Sequence, residues 1–131
     1  MSKRLCIKHY GLRSTVAYIM TSLLPLKSGD IILDPLCGKA TILVESGYEN
    51  TSVLHLGCDR DGNQLKFASE NISFANLHNV YLFRGNALEL PLQDNYIDHV
   101  VCDAPFGLKF TIVEDNFYLK FLKEVCRVLK P

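Results

Sequence analysis

The chain has 131 residues, 48% of them hydrophobic and 21% charged, and its 14 basic and 14 acidic side chains cancel to a formal charge of zero. That length and apolar content suit one globular domain with a substantial core, while the neutral balance excludes the whole-domain field that draws a protein onto a polyanion. No stretch approaches the roughly 20 consecutive apolar residues of a bilayer span, so no membrane is implied.

Lys3, Arg4 and Lys8 open the chain without a hydrophobic stretch or small-residue cleavage site behind them, which reads as an intracellular protein, cytoplasmic or nuclear. Cys6, Cys37, Cys58, Cys102 and Cys126 include no C-x-x-C pair and no histidines at zinc-ligand spacing. Reduced, mostly buried thiols and no metal are expected.

In chain order, Val16, Ile19, Met20, Leu23 and Leu24 predict the apolar face of a first helix, closed by Pro25. Residues 31–33 form a short apolar run of the kind buried on both faces of a sheet. A short helix follows from near Thr41, stopping before Gly47, and then a second strand over 53–56. Leu65, Ala68, Ile72 and Ala75 make the face of the next helix. Strands are expected over 80–83 and 97–101, and Tyr118, Phe121, Leu122 and Val125 line a last helix. This alternation predicts a doubly wound α/β domain with a mostly parallel sheet and helices on both faces. The final helix runs into "RVLKP", where an α/β chain normally delivers another strand. A fragment or shortened form is expected, with the strand over 97–101 left as an edge.

In open α/β sheets, ligands sit beyond the carboxyl ends of the strands. The residues there are "DPLCGKATILVE" after the first run, "CDRD" after the second, "RGNALEL" after the third and "CDAPFG" after the fourth. Gly38 lets backbone approach a ligand at the first turn. Asp59 is placed to accept the hydroxyls of a ribose, and Asn86 beside the small Ala87 suits a purine edge. A dinucleotide site wants G-x-G-x-x-G to receive a pyrophosphate. Here Asp34 opens the turn and would repel one, whereas a cationic tail such as the α-ammonium of S-adenosylmethionine suits it.

These stretches, preceded by "HYGLRSTVAYIM", resemble the class I methyltransferase core of the RNA guanine-N2 methyltransferases that carry a THUMP domain. The likeness runs from about residue 9 to residue 131 and is nearest to eukaryotic members that act on tRNA or a small nuclear RNA. It implies a Rossmann-like fold in a single truncated domain, residues 1–131. Residues 1–29 would be an N-terminal helical segment and 30–131 the cofactor-binding and catalytic core. It also implies S-adenosylmethionine as cofactor, with Asp34, Cys37, Gly38 and Thr41 at the first turn, Asp59 on the ribose, Asn86 and Ala87 at the adenine, and Asp103 beside the donor. Arg13 and Thr15 are further candidates over the methionine tail, and Glu45 is read as a surface or supporting group. RNA would be held by a THUMP domain not present in this chain, and a small zinc-binding activator protein would pair with the edge strand over 80–83.

An exocyclic amine is a poor nucleophile because its lone pair is delocalised into the base. Two acceptors on its N–H groups turn that lone pair towards the methyl donor. The Asp103 carboxylate and the Ala104 carbonyl can supply them. Pro105 fixes the turn without a competing N–H, Phe106 offers a stacking face for an extruded base, and Gly107 allows close approach. The same logic serves adenine N6, cytosine N4 or a protein glutamine amide, and a truncated core acting only as a binding module stays open. Against the family pattern, Ala40 stands for a glycine, Asn86 for an aspartate and Ala104 for a proline. The Cβ of Ala40 is harmless at helical φ and costs roughly 1–2 kcal/mol at positive φ. The isolated chain is expected to have weak activity or none.

Overall fold

A computed structural model describes residues 8–9, 11–104 and 116–131. In order, the elements are α1 (Ser14–Ser22), β1 (Ile31–Asp34), α2 (Thr41–Glu49), β2 (Leu54–Asp59), α3 (Gly62–Phe74), β3 (Val80–Arg84), β4 (His99–Val100) and α4 (Phe117–Val128). The four strands form one sheet in the order β3-β2-β1-β4, every pair parallel. All carboxyl ends therefore lie along one rim, as the alternation of elements predicts.

Alternate side chains of β1 face opposite layers. Ile32 packs with Ala17, Ile42 and Val53 on the α1/α2 side, and Leu33 with Cys58, Leu90, Ile97 and Val128 on the α4 side. Between α2, α3 and β3 lie Leu43, Val44, Ala68, Ile72 and Val80. The α3 face matches the predicted one, since Ala68 and Ile72 are buried and Leu65 and Ala75 half-buried.

Two helix faces differ from expectation. On α1 the buried residues are Ala17 and Thr21, while Val16, Ile19 and Leu23 face outward. Small side chains let α1 sit close against α2, so they turn inward and the larger ones are left outside. On α4, Phe121, Val125 and Val128 are buried but Tyr118 and Leu122 are exposed. Helix α2 does not stop before Gly47. Gly47 stays helical because Val80 lies beside it, and an added Cβ would come within 2.8 Å of the Val80 Cγ2.

Strand β2 likewise reads through Gly57, whose missing side chain makes room for Leu43 and Leu82. β4 is shorter than expected and lies at the sheet edge, as does β3. The β4 edge is covered at its start, where Ile97 bridges to Leu129 through Ile97 N–H to Val128 O (2.9 Å) and Lys130 N–H to Ile97 O (2.9 Å). Among the described residues, no helix is long and apolar enough to cross a membrane.

Polar side chains at the amino ends of the strands have hydrogen-bond or ion-pair partners. His55, 0% exposed, accepts from or donates to Ser46 Oγ through Nε2 (2.9 Å) and meets the Val53 carbonyl through Nδ1 (3.0 Å). The Asn79 amide faces the carbonyls of Gly47, Asn50 and Val53 at 3.1–3.2 Å. His99 pairs with Asp30 (2.9 Å), and Asp98 with Lys130 (2.8 Å) and the Ile31 amide (2.8 Å).

Candidate functional site

The carboxyl rim is built around the turn from β1 to α2. Asp34 ends β1 fully buried, and one of its oxygens accepts from the Leu36 amide (3.1 Å). The turn hangs on β2 through Cys37 N–H to Cys58 O (2.9 Å) and through Gly38 N–H to Asp59 Oδ2 (2.9 Å). Asp59 Oδ1 accepts from the Asp61 amide (2.9 Å), and Asp61 caps α3 by accepting from Asn63 N–H (2.8 Å). Asp59 thus ends β2 with its carboxylate held between two backbone amides. Gly38 has φ 51° and Ala40 φ 62°. The alanine therefore occupies the left-handed region at the N-cap of α2, the strained alternative of the two expectations, at a cost of roughly 1–2 kcal/mol.

A cavity of about 400 Å³ opens here, lined by Asp34, Cys37, Gly38, Thr41 and Asp103 together with Gly11, Leu12, Leu36, Lys39, Ile42 and Gln64. Its size falls within the range of small-ligand sites. The first five were predicted from sequence. Asp59 joins them through its bond to Gly38. Asn86 and Ala87 follow β3 at the same rim but do not line the cavity: Asn86 Oδ1 accepts from the Leu88 amide (3.0 Å), and Ala87 is buried with Phe121 and Val125. Arg13 and Thr15 do not line it either. Arg13 caps α1, and the wall is made instead by Gly11 and Leu12 just before it. Glu45 is half-buried on α2 beside Ser14, away from the cavity. Pro105, Phe106 and Gly107 lie outside the described residues.

Gln64 was missed by the sequence reading, although a signal existed. With Asp61 as the cap it completes an Asp-x-x-Gln capping pattern, which places it in the first turn of the helix leaving the acidic strand end.

The charge in the cavity is lopsided. Burial, with the nearby Asp59 and Asp103 carboxylates, pushes Asp34 up from 3.8 to about 7, against the pull of the Leu36 amide. A cation bound beside these groups would reverse that shift. Burial, then the neighbouring carboxylates, also raises the Cys37 thiol and pushes Cys58 and Cys102 to about 12, so none of them is a ready nucleophile. Among the described residues no group of three His, Cys, Asp or Glu side chains is placed to hold a metal ion. Thr41 Oγ1 lines the cavity, is buried and has no hydrogen-bond partner among the described residues. A ligand bearing both a cationic group and hydrogen-bonding atoms fits this set of residues.

A family model described as "RMKL-like, methyltransferase domain" matches residues 2–131. The chain belongs to this family. Over 128 residues it is 40% identical to the Bos taurus protein "U6 snRNA (guanine-N(2))-methyltransferase THUMPD2", covering 97% of this chain and 25% of that protein. It is also 40% identical over 110 residues to the Listeria monocytogenes demethylmenaquinone methyltransferase, covering 83% of this chain and 44% of that one. The chain thus spans a quarter to under half the length of these curated relatives.

Among solved structures, TrmN from Thermus thermophilus superposes with a TM-score of 0.78 at 25% identity over 90% of this chain and 35% of its own. The methyltransferase crystallised with the Trm112 methyltransferase activator of Haloferax volcanii gives 0.69 at 22% identity over 88% and 47%. The chain carries a methyltransferase domain, and its fold is the Rossmann-like class I fold of solved S-adenosylmethionine-dependent methyltransferases. S-adenosylmethionine meets the fit the cavity sets, since its ammonium and sulfonium suit the carboxylates, and its polar atoms give Thr41 Oγ1 a partner. Asp34, Gly38 and Thr41 would hold it, with Asp59 behind the turn.

Proposed function

We propose that this chain is the catalytic core of an enzyme that methylates the exocyclic N2 amine of guanosine in tRNA or a small nuclear RNA. The observation that carries the reading is the position of Asp103. It follows β4, is exposed, and lines the same cavity as Asp34 and Thr41. An exposed Asp103 side chain bordering the donor cavity is what an amine acceptor requires.

S-adenosylmethionine supplies an electrophilic methyl group on a sulfonium sulfur. The chain supplies position. The Asp103 carboxylate and the Ala104 carbonyl would accept hydrogen bonds from the two N–H groups of the amine and so orient its lone pair for attack on the donor's methyl group, the demethylated donor leaving as the thioether. The proton left on nitrogen passes to Asp103 or to water. Alignment of this kind contributes up to roughly 7–11 kcal/mol. Pro105 and Phe106 lie outside the described residues and are assigned to acceptor recognition by the sequence resemblance alone.

Two relatives at equal identity, one named for an RNA guanine and one for a quinone precursor, leave the acceptor to the loop after β4. The Asp-Ala pair there favours an amine. A neutral core has little affinity of its own for phosphates, and the RNA would be held by other parts of the whole protein. The β3 edge, with Tyr81 57% exposed, is the surface we assign to a small zinc-binding activator.

The test is mass spectrometry of nucleosides from RNA incubated with protein, activator and isotopically labelled S-adenosylmethionine. N2-methylguanosine should appear with the wild type and vanish with Asp103→Ala, while calorimetry shows the donor still bound by the variant. Label in another nucleoside, in protein or in a quinone would replace the acceptor. Full activity in Asp103→Ala would end the mechanism.

A further inference from the structure

Asn71 projects from the middle of α3, is 1% exposed, and bonds to no other residue of its own layer through its side chain. Its Oδ1 accepts from the His9 amide (2.8 Å), and its Nδ2 donates to the His9 carbonyl (3.0 Å). This is the pairing one strand makes with the next, here made by a side chain. The second Nδ2 proton goes to the Lys39 carbonyl (2.9 Å). One carboxamide therefore joins the segment before α1 to the turn after β1. Both pieces line the donor cavity, Gly11 and Leu12 from the segment before α1 and Gly38, Lys39 and Thr41 from the turn. They meet closely, since a Cβ on Gly11 would lie 3.2 Å from Thr41 Oγ1. The His9 ring adds a second attachment, 2.6 Å from Glu70 Oε2 and 4.6 Å from the Phe67 ring centre, and Lys8 reaches the same Glu70 oxygen at 3.0 Å.

We propose that Asn71 is a positioning residue for the methyl donor: its carboxamide fixes the spacing between His9, just ahead of Gly11 and Leu12, and the Gly38–Thr41 turn, and so sets the mouth of the cavity. Helix α3 is also anchored through Ala68 and Ile72. What the amide adds is a fixed distance between two loops that must both touch one ligand, and pre-organisation of that kind appears as affinity.

The test compares two asparagines whose amides donate to backbone carbonyls, Asn71, which is buried, and Asn79, which is half-buried. Asn71→Asp keeps the shape but removes both donors and sets a carboxylate against two carbonyls. Asn79→Asp does the same at the amino ends of the strands, away from the cavity. Donor affinity is measured by calorimetry with S-adenosylmethionine and corrected for the folded fraction, and tryptic cleavage after Lys8 and Arg13 is followed with and without donor. Asn71→Asp should weaken donor binding at least tenfold and abolish donor protection of those two sites. Asn79→Asp should lower thermal stability and leave the corrected affinity unchanged.

His9→Pro, against His9→Ala, covers the case in which Asn71→Asp fails to fold. Proline removes the His9 N–H that Asn71 accepts, alanine keeps it, and both lose the ring, so affinity should fall several-fold further in the proline variant. Unchanged corrected affinity in Asn71→Asp, or equal affinity in the two His9 variants, overturns the proposal. A wild type that does not bind the donor removes the site as well as the clamp.

Discussion

Each end of this sheet encloses a polar side chain completely, His55 at one and Asp34 at the other, and the two are treated in opposite ways. At the amino ends, His55 is wholly enclosed and both ring nitrogens have partners, Asn79 is spread over three carbonyls, and His99 and Asp98 are paired. At the carboxyl rim, Asp34 is as deeply enclosed, yet it receives one amide and lies near two other carboxylates, and Thr41 Oγ1 has no partner among the described residues. Burial therefore does not mark the site. Incomplete satisfaction does, because a buried polar group left without a partner costs roughly 1–3 kcal/mol and persists where a ligand completes it.

The largest effect expected from disturbing this contrast is at Asp34. Asp34→Asn keeps the acceptor for the Leu36 amide but removes the charge, and should weaken S-adenosylmethionine binding at least tenfold while raising thermal stability. The sign follows from the shift. A folded value of about 7 against 3.8 means that Asp34 contributes stability below pH 3.8, which is lost progressively as pH rises through about 7. The stability gap between variant and wild type should therefore be small at pH 4 and full at pH 8. Wild-type donor affinity should climb across pH 7, and that of the variant should stay flat. A gap independent of pH would show that Asp34 does not titrate in this window.

The mirror experiment is His55→Leu at the other end. It strands Ser46 Oγ and should cost roughly 2–3 kcal/mol in urea denaturation, with donor affinity unchanged. His55 is shifted below 6.5, chiefly by burial, so its contribution is present above pH 6.5 and lost as pH falls through the folded value. The leucine variant should lose that acid sensitivity. A change in donor affinity would break the division between the two ends.

The smallest effect is at Ala40. Ala40→Gly relieves the left-handed alanine and should raise stability by roughly 1 kcal/mol, after allowing for the extra freedom of glycine in the unfolded chain. A lower urea midpoint would mean that the Cβ contacts in the core outweigh the strain.

The sheet and its rim could be read from periodicity and from the residues ending each run. Asp34, Gly38, Thr41 and Asp103 meet in one cavity because parallel strands put all their carboxyl ends on one side. The errors share a cause. Val16, Ile19 and Leu23 on α1, and Tyr118 and Leu122 on α4, look like core by their chemistry. Which side of a helix turns inward depends on how near its neighbour lies, and periodicity does not contain that distance. Gly47 looked like a stop signal because Val80, which occupies the space it leaves, is remote in the chain.

Local patterns thus specified the strands, the turn chemistry and the carboxylates of the rim, since each depends on residues close in sequence. The sign of φ at Ala40, the near-neutral titration of Asp34 and the Asn71 link between two cavity-lining segments came only with the folded chain. Each arises where segments distant in sequence converge, and the energies at issue belong to that convergence: strain imposed by a turn hung on β2, repulsion among three carboxylates from three strand ends, and one amide shared by two loops.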